Sequence, residues 1–168
     1  MEKGEKSLAQ SKLGHLGIEP DFYTVGYERL NIRELFLLLK ENGVHFLVDV
    51  REEPWSAVYD FRKAAMEEKL PELSREYGYE VRYVSIPAVG NPFRTHDAST
   101  EEILKEYRRY ILTRTEELEG LYELIKRYKT ALMCYEADPR DCHRSVLSSV
   151  LAEKYKLSYT DLRQQRLT

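Results

Sequence analysis

Ala131-Leu132-Met133-Cys134-Tyr135-Glu136-Ala137-Asp138-Pro139-Arg140-Asp141-Cys142-His143-Arg144 passes from apolar to polar to helical character within one short stretch. Its opening, Thr130–Cys134, reads as a buried strand. The polar loop that follows leads into a helix over residues 140–155. Asp138 can cap that helix, Pro139 suits its first position, and Asp141 adds negative charge to the first turn. A strand, a short loop and a helix N-terminus in succession form the place where an open α/β sheet holds its ligands. Both cysteines of the chain, one of its four histidines and Glu136 fall inside this segment. The chemistry is placed here.

The flanking sequence repeats the alternation of strand and helix. Phe22–Tyr27 is aromatic and β-branched, a first strand, with Gly26 where the chain bends or something approaches closely. Asn31 and Glu34 form a capping box ahead of Ile32, Leu35, Phe36 and Leu39, which recur at helical spacing until Gly43. Phe46–Val50 is an apolar run broken by Asp49, the pattern of a central parallel strand. Residues 60–77 read as helical but interrupted at Pro71, which opens a second piece ending at Gly78. Val81–Ile86 gives a third strand, followed by a long loop that reaches His96. Ser99 and Glu102 repeat the capping pattern, and apolar positions from Ile103 to Ile125 indicate helix with a break near residues 113–115. Ser158–Leu162 closes the chain as a short edge strand. The pattern predicts an α/β fold, a mostly parallel sheet of about five strands flanked by helices in a Rossmann-like three-layer arrangement. Tyr27, Asp49–Arg51, Ile86 and Cys134–Glu136 then share one edge.

At 168 residues the chain fits one domain. Residues 1–21 read as a flexible tail, with a turn at Leu13–Ile18, and residues 22–168 as a single α/β domain. No apolar run approaches the ~20 residues that span a bilayer, and no secretory h-region opens the sequence. Two cysteines without a disulfide framework suit a cytoplasmic protein. The net charge of −3 disfavours wholesale nucleic-acid binding while leaving room for a local basic face. Tyrosines interleaved with basic residues at Tyr107-Arg108-Arg109-Tyr110 and Lys126-Arg127-Tyr128-Lys129 fall on helices with acidic neighbours, which fits a solvated face better than a stacking platform.

Thr24-Val25-Gly26-Tyr27-Glu28, Leu47-Val48-Asp49-Val50-Arg51 with Pro54 and Ser56, and Cys134-x-Glu136 followed by Cys142-His143-Arg144 together resemble the DUF488 family of unknown function. The resemblance covers roughly residues 22–163 and implies an α/β fold with a shared site, but no reaction. Ser56 is followed by Ala57 where the family tends to carry arginine, which removes one candidate anion contact.

Each candidate residue has a functional and a structural reading. Arg51 and Arg144 can clamp a phosphate or carboxylate, or can pair internally with Asp49, Glu136 or Asp141. Asp49 and Glu136 are acids at strand ends, proton handlers or salt-bridge anchors. Tyr27 and Ser56 join Asp49, Arg51 and Arg144 as expected ligand contacts. Glu136, Cys142 and His143 are the expected catalytic group. Cys142 lies near a helix N-terminus that favours a thiolate; His143 falls in register with core positions, and Cys134 reads as core.

A phosphatase-type Cys134-x5-Arg140 loop is disfavoured, because the loop carries Glu136, Asp138 and Pro139 where a phosphate cradle wants glycines and free amides. Val48-Asp49-Val50-Arg51, which looks like a rhodanese strand, is discounted with it. Zinc on Cys134, Cys142 and His143 needs a fourth ligand such as His96, at a spacing that matches no standard finger. No metal and no cofactor are expected. The leading reading is an α/β domain binding or acting on a small anionic or nucleotide-like ligand, or on nucleic acid. A non-catalytic binding module and a thiol-based enzyme using Cys142 stand beside it.

Overall fold

The computed structural model describes residues 18–94 and 97–163. Most of the expected tail with its turn, and His96, lie outside the described residues. Five strands, β1 (Phe22–Gly26), β2 (Phe46–Asp49), β3 (Arg82–Ser85), β4 (Thr130–Cys134) and β5 (Tyr159–Leu162), pair in parallel in the order β3-β2-β4-β1-β5. The helices are α1 (Ile32–Glu41), α2 (Lys63–Tyr77), α3 (Thr100–Leu112), α4 (Thr115–Arg127) and α5 (His143–Tyr155).

The steps β1 to β2 to β3 run one way across the sheet, and the steps β3 to β4 to β5 run back. Crossovers of one hand therefore place their helices on opposite faces. Alternation along the strands serves both. Tyr23, Val25, Leu47, Ala131 and Met133 pack with Leu35, Phe36 and Leu39 of α1 and Met66 and Leu70 of α2. Phe22, Val48, Leu132 and Cys134 pack with Tyr107, Ile111, Leu118, Leu121, Leu147 and Leu151 of α3 to α5. The result is the three-layer α/β fold that the sequence pattern predicts.

The strand order creates the site. β4 lies between β2 and β1, whose outgoing helices cover one face, while the chain leaving β4 turns to the other. The main chain therefore parts on both sides of the β4 carboxyl end, which is where parallel sheets open a crevice.

Two local expectations are corrected. Residues 63–77 form one helix, with Pro71 inside it rather than opening a second piece. The carbonyl that Pro71 cannot satisfy is that of Glu67, and both residues lie on the exposed face, where solvent can take the lost bond's place, while Ala65, Met66, Leu70 and Leu73 keep their buried stripe. Asp138 caps only a 3-10 turn, Pro139–Asp141, by accepting from the Arg140 N–H. The cap of α5 is Cys142, whose sulfur accepts from the Arg144 N–H. The Asn31–Glu34 capping box and the break between α3 and α4 are as predicted. Among the described residues no helix is long and apolar enough to cross a membrane.

Candidate functional site

The loop leaving β4 is held against the end of β1. A Cβ at Gly26 would collide with the carbonyl of Glu136, so glycine is what permits this approach. From that fixed loop, Cys134 at the strand end and Cys142 at the α5 cap converge and are joined as a disulfide. This corrects the expectation of unpaired cysteines. A strand end and the next helix cap, eight residues apart, bring the two side chains to one point. Glu136 completes the group: its Oε2 lies 3.6 Å from Cys134 Sγ. One donor atom from each of Cys134, Glu136 and Cys142 lies within 4.8 Å of the others, so among the described residues these three, with the disulfide opened, could hold a cation.

Arg144 organises this cluster from beneath. Its guanidinium is fully buried. Nη1 donates to Cys134 Sγ at 3.0 Å and to the Glu136 carbonyl at 2.5 Å, and Nη2 to the Ala137 carbonyl at 3.2 Å. Nε and Nη2 both reach Asp161 Oδ1, at 3.2 and 3.1 Å, and Thr24 Oγ1 donates to the same oxygen at 2.5 Å. The fork thus binds the β4 loop, the edge strand β5 and one sulfur in a single arrangement. Its ionic partner is Asp161, none of the three acids considered from sequence.

His143 stands beside Cys142, with Nδ1 3.8 Å from its sulfur. Nε2 lies 2.8 Å from the Val50 carbonyl, which can only accept, so Nε2 carries the hydrogen. Burial pushes the imidazole pKa down to about 4, with the Arg94 and Arg144 charges acting in the same direction against the Val50 hydrogen bond. The ring is neutral at physiological pH, and Nδ1 keeps a lone pair toward Cys142.

A second buried pair closes the β2 end. Arg51 Nε and Nη2 meet Asp49 Oδ1 and Oδ2 at 2.8 and 2.6 Å, Nη1 donates to Tyr27 Oη at 2.9 Å, and Tyr83 Oη donates to Asp49 Oδ2 at 2.5 Å. Burial alone would lower the Arg51 pKa, but the hydrogen bonds and charge of Asp49 outweigh it and hold the group above its usual range. Burial, then the Asp49 charge, raises the Tyr83 phenol.

A cleft of about 150 Å³ opens beside Arg51 and the Cys134 end of β4, lined by Asn91, Arg94, Glu136 and His143 among others. A broader one of about 660 Å³ lies across the same loop, bordered by Glu28, Arg29, Glu136, Asp138 and Arg163. Glu136 and Asp141 border both.

Of the residues expected at the site, Glu136, Cys142, His143 and Arg144 come together, and Asp49, Arg51 and Tyr27 form the adjoining group. Ser56 stands apart from the cleft: its Oγ accepts from the Val58 N–H in the loop after β2. Arg140, the arginine of the disfavoured phosphatase spacing, is exposed and bound to Asp138. Sequence reasoning missed Asp161, Asn91 and Arg94, and took Cys134 for core alone. An acid inside the short β5 strand was a signal for Asp161; Asn91 and Arg94 sit in a loop with no periodicity to mark them.

The fold and the site define an all-parallel three-layer α/β domain with a two-cysteine cluster at the switch in strand order. Residues 31–151 match the family model "Domain of unknown function DUF488". The chain belongs to that family. No curated protein and no solved structure matches it.

Proposed function

We propose that this chain is a thiol-based redox domain in which Cys134 and Cys142 cycle between dithiol and disulfide. The observation that carries this reading is the surroundings of Cys134 Sγ, which has the Arg144 guanidinium at 3.0 Å, the Glu136 carboxylate at 3.6 Å and the second cysteine within reach. A neighbouring cation favours the thiolate, and a neighbouring carboxylate can take the thiol proton. Both cysteines are buried at 1% exposure, which keeps a protein disulfide or dithiol from reaching them and leaves oxidant and reductant to be small molecules. Cys134 lines the smaller cleft, so the oxidant is small, of the hydroperoxide class.

The Cys134 thiolate attacks one peroxide oxygen and the O–O bond breaks. The leaving alkoxide or hydroxide takes the proton held by Glu136, and Cys134 becomes a sulfenic acid. Cys142 then attacks that sulfur, the S–O bond breaks, and hydroxide leaves with the Cys142 proton as water. Two electrons pass from the sulfur pair to the peroxide, and a small-molecule dithiol reductant returns the pair to its starting state. Cys134 is thus the sulfur that meets the oxidant and Cys142 the one that resolves it. An anionic or nucleotide-like ligand, the other reading, would be met by Arg94 and Asn91, because the forks of Arg51 and Arg144 point into the protein.

Trapping with dimedone tests the assignment. Reduced Cys142→Ser protein treated with hydrogen peroxide is expected to accumulate the adduct on Cys134, and Cys134→Ser protein to give little on Cys142. The reverse pattern, or no adduct in either variant, would overturn it.

A further inference from the structure

We infer that, once reduced, Cys134, Cys142 and Glu136 form a three-ligand site for a thiophilic divalent cation of the zinc class. The inference uses the same cysteine pair as the redox reading, but its evidence is the third ligand. One donor atom from each residue lies within 4.8 Å of the other two. Zinc bonds of roughly 2.3 Å to sulfur and 2.0–2.2 Å to oxygen set a sulfur–oxygen edge of about 3.5 Å on a tetrahedron. The Cys134 Sγ to Glu136 Oε2 separation of 3.6 Å matches that edge.

Charge points the same way. With the disulfide opened, two buried thiols and a half-buried carboxylate share one corner. Among the described residues no salt bridge joins Glu136 to a cation, and the Arg144 fork is bound to Asp161 and two carbonyls. A divalent cation relieves the repulsion among three anionic donors and allows both thiols to ionise. The Arg144 N–H on Cys142 Sγ and its Nη1 on Cys134 Sγ then orient the sulfurs as outer hydrogen bonds do in metal sites. Three protein ligands leave the fourth position open, and Glu136 and Cys134 both border the smaller cleft. Oxidation removes two of the three donors, so cation and disulfide exclude each other.

Cobalt(II) titration of the full, reduced chain under inert gas is the test. The expected result is one cobalt per chain, with a thiolate-to-cobalt charge-transfer band and the intense visible bands of a four-coordinate site, all displaced by zinc. Peroxide-oxidised wild type, which needs no substitution, should show no such bands. Cys134→Ser and Cys142→Ser should each abolish the charge-transfer signal of the pair, and Glu136→Gln should weaken cobalt binding about tenfold or more. No thiolate band in the reduced wild type, equal binding by the oxidised protein, or unchanged affinity in Glu136→Gln would overturn the site. Disulfide formation in metal-free protein is read separately by thiol count. A chain that forms the disulfide but gives no cobalt band overturns this site alone, and one that binds cobalt but forms no disulfide overturns the redox cycle alone.

Discussion

Arg144 holds Cys134 by a direct contact: Nη1 lies 3.0 Å from the cysteine sulfur, inside a fully buried side chain. The same fork carries the Glu136 and Ala137 carbonyls and Asp161. The loop that bears Glu136 is therefore positioned by the residue that polarises the sulfur. Sulfur chemistry and loop stability are linked through one guanidinium.

Arg144→Ala should cost about 1.5–3 kcal/mol of stability, because it leaves half-buried Asp161 with only Thr24 and the exposed Arg163 and frees two loop carbonyls. Arg144→Lys should fall between the two, keeping the charge but losing the planar fork. Urea denaturation of the oxidised proteins measures both. An alanine variant within about 0.5 kcal/mol of wild type would show that the fork does not hold the loop.

Gly26→Ala should displace the β4 loop, because the new methyl meets the Glu136 carbonyl, which is backbone and cannot swing aside. The expected loss is about 1–3 kcal/mol. Gly120→Ala, where nothing lies within 4 Å, serves as the control and should be neutral or slightly stabilising. Thermal melts of the pair decide it, and equal melting temperatures would contradict the close approach.

Asp49→Ala should be far more damaging than Tyr83→Phe. The first strands the buried Arg51 charge, at about 3–5 kcal/mol, and the second removes one hydrogen bond to a carboxylate, at about 1.5–3 kcal/mol. Denaturant midpoints rank the two. Equal losses would mean that Arg51 finds another partner when Asp49 is absent.

His143 gives the oxidised, metal-free protein a pH signature. Its folded-state pKa of about 4 lies below the ordinary 6.5, so the unfolded chain binds the proton first as pH falls. The contribution is complete above pH 6.5, declines as pH falls toward 4, and amounts to about 3 kcal/mol across that window. His143→Gln can still donate to Val50 but does not titrate. The difference in stability between wild type and this variant should shrink as pH drops from 7 to 4. A difference independent of pH would place the imidazole in contact with solvent.

The alternating strand and helix pattern made the layers and the shared strand edge legible, since apolar periodicity and capping residues are local signals. Strand order was not legible: whether β4 enters between β2 and β1 depends on long-range pairing that no local pattern records. The site was half visible for the same reason. Cys142, His143 and Glu136 lie within one short segment, whereas the partner of Arg144 is Asp161 on a strand at the far edge of the sheet. Cys134 reads as core because it is core by burial; only the fold shows a sulfur that both packs and borders a cleft. Pro71 reads as a break because sequence does not show that the carbonyl it orphans faces water.

The most direct measurement is a thiol count on reduced, metal-free wild type before and after one equivalent of hydrogen peroxide, made in denaturant and followed by peptide mapping. Both thiols should disappear together within a monomer, a single peptide pair linking Cys134 to Cys142 should appear, and a dithiol reductant should restore both. Thiols that survive the oxidant, or cysteines that oxidise separately without linking, would contradict the paired-cysteine account.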